Sequence, residues 1–255
     1  ESPGDDPVEA ARTLDTPGVS EAAYAALFAE LRASADLYID LHCNGLQAAS
    51  FIICDRILYR DDAELPALEQ LAARLASLCQ ASGLPVVHEL EASRYVARRL
   101  HRSTTGAALN VARIPAVTVE LGLIGGVDPA ALAAGLAAVR NMLRWAQMLP
   151  GEPEPVDTVP QPAPGFATMR DSTPRAPASG VIRYHVVPGQ LFRRGDLLAT
   201  LTDLHGRPLP DGELRSEHDG WVLGLARGAI CYQGQPALYV AIRDDGPAVE
   251  RFPGA

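Results

Sequence analysis

Two short apolar runs in this 255-residue chain each end on a side chain that can carry a charge. The run 37–42 contains Asp40 and ends on His42, and the run 116–120 ends on Glu120. Buried strands that each present an ionisable group at their carboxyl ends form the binding crevices of open α/β sheets. We therefore expect His42 and Glu120 to meet at one edge of a sheet.

Helix and strand patterns alternate through the first part of the chain. Apolar residues at helical spacing predict helices over 65–81 and over 129–148, the second with Asp128 as its N-cap. The other predicted elements are an irregular segment over 1–19, a helix over 20–35 capped by Ser20, and strands at 49–54 and 85–89. This alternation predicts a three-layer α/β domain over residues 1–149.

A proline-rich segment follows that predicted domain. Residues 150–177 contain prolines at a density that favours a stiff, extended linker without regular structure. Beyond it, short apolar runs alternate with glycine turns, and Gly180 matches Gly220 at an offset of 220 − 180 = 40 residues. Two interlocked copies of such a unit predict a small all-β barrel-sandwich domain over 178–255.

Composition limits the possible partners and the compartment. All 22 basic residues are arginine, so a lysine-linked lipoyl or biotinyl group is excluded, and the net charge of −9 argues against nucleic acid. No apolar run approaches the roughly 20 residues that span a bilayer. The four cysteines lack paired spacing, which suits a reducing compartment. We predict a cytoplasmic protein without membrane contacts, and a homo-oligomer remains open.

The residue types at the two strand ends suit metal-assisted hydrolysis. An imidazole such as His42 is a common zinc ligand, and a buried carboxylate such as Glu120 can act as a general base for water. Each has a simpler interpretation, because His42 could be a core histidine and Glu120 a structural acid paired with an arginine. A zinc site needs about three protein ligands, and His42 is the only good candidate in this sequence.

Two further residues are candidates for supporting roles. Asp40 lies two residues before His42 on the same strand face, where it could fix the second imidazole nitrogen, or it is a plain carboxylate at a strand edge. Arg102 lies in an arginine-rich segment, where it either contacts an anionic substrate or belongs to a solvated face.

Three features, in this order, resemble the succinylglutamate desuccinylase/aspartoacylase family, a branch of the zinc carboxypeptidase-like fold. They are Asp40-Leu-His42, the run from Ile114 to Gly122, and the proline-rich segment followed by a lysine-free β region. The resemblance implies a carboxypeptidase-like α/β domain in which His42 binds Zn²⁺ and Glu120 is the catalytic glutamate. It also implies a small N-acylated amino acid as the substrate.

The chain departs from that family in its first part. Family members begin with a His-x-x-Glu motif that supplies two zinc ligands, but no histidine precedes His42 here. We therefore expect the α/β domain to be incomplete, because its N-terminal part is absent from this sequence or lies on another polypeptide, or because the protein is a degenerate member.

The expected function is zinc-dependent hydrolysis of an amide bond in a small N-acyl amino acid or related substrate. Glu120 would be the general base and His42 a metal ligand. A carboxypeptidase acting on peptides and a non-catalytic binding or assembly module remain as alternatives.

Overall fold

The computed structural model describes residues 5–12, 18–226 and 228–254. Its helices are α1 (Pro7–Arg12), α2 (Val19–Ser34), α3 (Leu65–Ala81), α4 (Ala92–Ala97), α5 (Thr104–Asn110) and α6 (Pro129–Trp145), with 3₁₀ turns at Asp62–Glu64 and Leu100–Arg102. Its strands are β1 (Tyr38–His42), β2 (Gln47–Ala48), β3 (Phe51–Cys54), β4 (Ile57–Tyr59), β5 (Val86–His88), β6 (Ala116–Glu120), β7 (Thr168–Asp171), β8 (Gly180–Tyr184), β9 (Leu191–Phe192), β10 (Leu197–Thr202), β11 (Pro208–Arg215), β12 (Gly220–Leu225), β13 (Ile230–Cys231), β14 (Leu238–Arg243) and β15 (Val249–Arg251). None of these helices combines the length and apolar character needed to cross a membrane.

One mixed sheet of nine strands connects the two halves of the chain. Its order is β1-β6-β3-β5-β7-β14-β12-β2, with β9 paired to β12. The pairs β1–β6, β3–β5 and β5–β7 are parallel, whereas β3–β6 and the pairs from β7 to β2 are antiparallel. Since β1 stands at one end of this order, it is an edge strand next to β6.

The two faces of this sheet differ around β6. Leu75 and Leu78 of α3 share an apolar core with Val119 of β6 and with residues of α6. Because neighbouring strand residues point to opposite faces, Thr118 and Glu120 lie on the face away from α3. The polar residues of β6 are therefore gathered on one side of the sheet.

The sequence repeat forms two interlocked sets of three strands. Strands β8, β9 and β10 correspond to β12, β13 and β14. The four-stranded antiparallel sheet β11-β10-β8-β13 and the nine-stranded sheet each hold two strands of one set and the short strand of the other. The large mixed sheet and the separate antiparallel sheet agree with an α/β chain that ends in β structure. The three-layer carboxypeptidase-like arrangement and the barrel-sandwich class stay predictions.

The proline-rich segment contains regular structure, so the prediction of an extended linker without it is wrong. Strand β7 lies inside 150–177 and pairs with both β5 and β14. The prolines leave a gap between Pro164 and Pro174 that is long enough for four paired residues. The domain limits 1–149, 150–177 and 178–255 stay a prediction, although one sheet crosses both boundaries.

Two predictions near the start of the chain are also wrong. Residues 7–12, expected to be irregular, form α1, while residues 1–4 and 13–17 lie outside the described residues. Ser20 does not cap α2, because the capping position is the extended Gly18 and the Ser20 hydroxyl donates to Glu21. The local preference of serine for a cap does not decide where this helix begins.

Candidate functional site

The carboxyl ends of β1 and β6 bring His42 and Glu120 together. The two parallel strands are in register, so that His42 stands directly beside Glu120. The His42 Nδ1 atom lies 3.9 Å from Glu120 Oε1. The His42 side chain is 47% exposed and the Glu120 side chain 11%, so a reachable imidazole borders a buried acid. Their meeting at one sheet edge is as predicted, while their roles stay predictions.

Asp40 contacts the other side of the same imidazole. Its Oδ2 atom lies 3.2 Å from His42 Nε2, and it also accepts a hydrogen bond from the hydroxyl of Thr104, the first residue of α5. Histidines that bind metals usually have their second ring nitrogen fixed by a carboxylate or carbonyl. The geometry therefore leaves Nδ1, on the Glu120 side, as the nitrogen available to a ligand.

Glu120 is a buried acid whose hydrogen bonding is incomplete. Its Oε2 atom is buried without a hydrogen-bond partner, and no arginine pairs with Glu120 within the described ranges. Burial raises the pKa of Glu120, and this effect outweighs the opposing charges of His42 and Arg170. An unsatisfied buried acid with a raised pKa is the kind of group that active sites contain.

A group of charged residues that sequence reasoning does not find lies near Glu120. Glu89, which follows β5, pairs with Arg170 of β7 at 2.6 Å. Asp55 follows β3, and burial together with the charge of Glu89 raises its pKa to about 7. Arg170 lowers the pKa of both Asp55 and Glu120 electrostatically, so its charge acts on both carboxyl groups.

One signal for this cluster is present in the sequence. The predicted strand 85–89 ends on Glu89, just as the two runs at the candidate site end on ionisable groups. Arg170 has no such signal, because it lies in a segment whose proline content predicts a linker. Only the pairing of β5 with β7 brings these two residues together.

Arg102, the predicted substrate-binding residue, is engaged elsewhere. Its Nη2 atom lies 3.0 Å from Asp5 Oδ1. Among the described residues, no ion pair or hydrogen bond joins its side chain to His42 or Glu120. A substrate-binding role for Arg102 stays a prediction, and the structure does not bring it together with the other predicted site residues.

The loops after β1 and β6 form an apolar rim beside the candidate site. The Asn44 N–H donates to the Gly122 carbonyl at 3.0 Å, and the Ile124 N–H donates to the Gly45 carbonyl at 2.7 Å. Ile124 and Leu46 are each about half exposed, at 52% and 55%. The two loops therefore hold each other in place, and each carries an exposed apolar side chain a few residues beyond its strand.

The donor set fits zinc in type but not in number. Within the described part of the chain, no group of three His, Cys, Asp or Glu side chains is arranged to hold a metal ion. Catalytic zinc sites use three protein ligands and structural sites four. His42 with its Asp40 contact is suited to be one of them, so a zinc ion here would need ligands from beyond the described residues.

No protein-family model and no curated protein matches this chain, but solved structures do. The product-bound ectoine utilization protein EutE from Ruegeria pomeroyi matches 92% of this chain and 67% of its own, with 22% identity and a TM-score of 0.70. A succinylglutamate desuccinylase/aspartoacylase from Rhodobacter sphaeroides matches 94% and 68%, with 19% identity and a TM-score of 0.67. A succinylglutamate desuccinylase from a Silicibacter species matches 89% and 64%, with 20% identity and a TM-score of 0.65.

These likenesses establish the fold of the chain. Its structural neighbours include several proteins of the succinylglutamate desuccinylase/aspartoacylase family, which is the family that the motifs resemble. The chain spans about two thirds of the length of the solved structures that it matches. At these identities, the activity and substrate of the whole protein are matters for proposal.

Proposed function

We propose that this chain belongs to a zinc-dependent hydrolase that cleaves the amide bond of a small N-acylated amino acid. The observation that carries the proposal is the contact between His42 and Glu120 at the ends of two parallel strands, with one carboxylate oxygen of Glu120 unpartnered. The desuccinylase and aspartoacylase names among the structural neighbours support a small acylated substrate over a peptide.

Glu120 would move protons in this reaction. Its side chain would accept a proton from the attacking water and deliver it to the leaving nitrogen when the amide bond breaks. A general base works best when its pKa lies near the working pH, and burial raises the pKa of Glu120 in that direction. One oxygen of this carboxylate, Oε1, faces His42, and the other, Oε2, is buried without a partner among the described residues.

Asp40 and His42 would hold the other half of the site. Asp40 lies against Nε2 of His42 and would keep Nδ1 directed toward the Glu120 side. A zinc ion bound there would polarise the substrate carbonyl and lower the pKa of a bound water to about 7. Since the described residues supply too few ligands, the remaining ligands would come from a segment outside them or from a partner chain.

The remaining expectations about partners follow the same proposal. The substrate would be a small molecule, nucleic acid is not expected with a net charge of −9, and neither is a membrane. A cytoplasmic location and a homo-oligomer stay predictions.

A substrate panel tests the proposal. The purified protein, together with any segment or partner chain that completes the ligand set, would be assayed with zinc added and with zinc removed by a chelator, on N-succinyl and N-acetyl amino acids and on N-blocked dipeptides. We expect zinc-dependent release of free amino acid from the acylated amino acids only. Turnover confined to the dipeptides would support the carboxypeptidase alternative, and a zinc-loaded chain inactive on both would contradict the proposal.

A pair of histidine variants sharpens this test. His42→Gln should abolish the zinc-dependent turnover. His185→Gln, which changes an exposed histidine bonded to Thr200 in the β-rich region, should leave it unchanged. Equal activity of the two variants would remove His42 from the proposed site.

One observation favours a second candidate function, a non-catalytic binding or assembly module. It is the absence of a complete metal-ligand group among the described residues. Metal analysis distinguishes the two candidates, because a module has no need for zinc at His42. Stoichiometric zinc that is lost in His42→Gln would count against the module, and a zinc-free, inactive chain would support it.

A further inference from the structure

A buried carboxylate near the start of the chain is held by three donors. Oδ2 of Asp5 accepts from Arg60 at 2.5 Å, and Oδ1 accepts from Arg102 at 3.0 Å and contacts Nε2 of His101 at 3.1 Å. The Asp5 side chain is 9% exposed and His101 is 4% exposed. These donors, with the ring of Phe252 beside them, are called the Asp5 subsite.

The walls of the Asp5 subsite are built by packing that does not depend on Asp5. The Arg60 guanidinium stacks over the Phe252 ring at 3.4 Å, and His101 meets the same ring edge-on at 5.6 Å. A guanidinium stacked on an aromatic ring is held in orientation while its N–H groups remain free to donate. Arg60 and His101 would therefore keep their positions if Asp5 left.

Space for a larger molecule adjoins the subsite. Asp5, Arg60, His101 and Phe252 line a cavity of about 190 Å³, which has room for several waters or a small organic molecule. Among the described residues, the buried Nδ1 atom of His101 has no hydrogen-bond partner, so this part of the subsite also retains an unused polar group.

Asp5 stands just before a short helix that has little burial. The following helix α1 has six residues, and Pro7 is the only one of them that is buried. A helix this short is not stable by itself in water. The carboxylate of Asp6 pairs separately with Arg32 at 2.6 Å, so a ligand that displaces the Asp5 carboxylate leaves this second attachment of the segment in place.

The charges around the cavity select the kind of ligand. Each oxygen of the Asp5 carboxylate has its own arginine donor, as suits a planar carboxylate. On the rim, Glu64 is paired with Arg113 at 3.3 Å and Asp61 accepts from a backbone N–H. These acids would repel a phosphate dianion more strongly than a singly charged carboxylate.

We propose that the Asp5 subsite is a binding site for a small carboxylate ligand, in which Asp5 acts as a displaceable internal ligand. The site is separate from His42 and Glu120 and does not rest on the proposed hydrolase activity. Its ligand would be an organic acid or amino acid whose carboxylate takes the place of the Asp5 carboxylate and whose remaining atoms occupy the cavity.

Removal of the internal carboxylate tests the proposal. Acetate would be titrated by calorimetry into the wild-type chain, Asp5→Ala and the control Asp6→Asn, which changes the neighbouring acid outside the subsite. We expect Asp5→Ala to bind acetate at least ten-fold more tightly than the other two, and Asp5→Ala combined with Arg60→Gln to lose that gain. Equal affinity in all of them would overturn the proposal, and tighter binding of phosphate than of acetate would overturn the ligand class.

A second measurement keeps the test decisive if Asp5→Ala does not fold. In the wild-type chain, acetate should shift the His101 imidazole resonances in a saturable way, because it enters beside Nε2. The exposed His185 imidazole is the internal reference and should not shift. Unchanged His101 resonances at saturating acetate would refute displacement of Asp5.

Discussion

Two histidine–acid pairs at the nine-stranded sheet, His88 with Asp244 and His42 with Glu120, differ in completeness. His88 Nδ1 is hydrogen-bonded to Asp244, which also accepts from the buried Arg56 at 2.8 Å. His42 instead lies 3.9 Å from Glu120, whose second oxygen has no partner. The first pair has its hydrogen bonds satisfied, and the second does not.

The pKa directions of the two acids follow from this difference. Burial raises the pKa of Asp244, but the hydrogen bonds from Arg56 and His88 outweigh it, so the net pKa is lowered. Burial raises the pKa of Glu120, and its charged neighbours do not offset it. A fully partnered buried acid contributes to stability, whereas an incompletely partnered one costs stability and is retained where chemistry needs it.

The largest expected effect is a loss of stability when the complete pair, His88 with Asp244, loses its donor Arg56. Arg56→Gln should lower the free energy of unfolding by about 3–5 kcal/mol, because it leaves Asp244 buried without its main donor. The more exposed Arg32→Gln is the matched control and should cost less than about 1 kcal/mol. Urea denaturation followed by circular dichroism measures both. An equal loss of the free energy of unfolding in both variants would show that the Arg56–Asp244 pair stabilises the fold no more than an exposed ion pair does.

A third buried acid, Asp55, adds a pH dependence to the comparison. Its pKa is raised from 3.8 to about 7 by burial and by Glu89, so the folded chain binds a proton that the unfolded chain has already released. This stabilisation is complete at low pH and is lost as the pH rises toward about 7. The free energy of unfolding should fall by about 2 kcal/mol between pH 5 and pH 8.

Asp55→Asn separates this effect from other titrations. The variant cannot ionise at this position, so most of the decline between pH 5 and pH 8 should disappear. Urea titrations at several pH values give the slope of the free energy of unfolding against pH for the wild type and for the variant. A slope unchanged by the substitution would mean that Asp55 is already ionised at pH 5 in the folded chain.

The smallest expected effect concerns the orientation of His42. Thr104→Val removes the hydroxyl that donates to Asp40. If His42 binds zinc as proposed, this should reduce turnover by about ten-fold, the lower end of the effects of residues that orient a metal-binding histidine. Thr105→Val, which instead breaks a hydroxyl contact with Thr118, should mainly reduce stability. Steady-state kinetics and thermal melting together distinguish the pair, and identical behaviour would remove Thr104 from the site.

The sequence predicts the incomplete pair better than the complete one. His42 and Glu120 each end an apolar run, and parallel strands place such ends at one edge, so local patterns were sufficient. His88 and Asp244 are 156 residues apart, and the sequence around each of them gives no signal that they are in contact. Their contact depends on β5, β7 and β14 lying side by side, which no local pattern encodes.

The other features that the sequence does not predict also depend on contacts between distant parts of the chain. The helix α3 is predicted with its observed limits because its apolar face is long and regular. Strand β7 is short and lies between prolines, so its conformation is determined by the strands on either side. The ion pair of Arg102 with Asp5 joins residues 97 positions apart, and acidic residues near the start of a chain give no signal of burial.

The substitution Glu120→Gln tests the central claim most directly, because it changes the incomplete acid without changing its size. Turnover of an N-acyl amino acid and the melting temperature would be measured for wild type, Glu120→Gln and the control Glu89→Gln, which breaks the pair with Arg170. We predict that Glu120→Gln loses turnover by roughly 10²-fold or more, as expected for a lost general base, and melts at or above the wild-type temperature. Glu89→Gln should instead melt lower. Full turnover in Glu120→Gln, or a melting temperature lowered as in Glu89→Gln, would show that Glu120 is a structural acid.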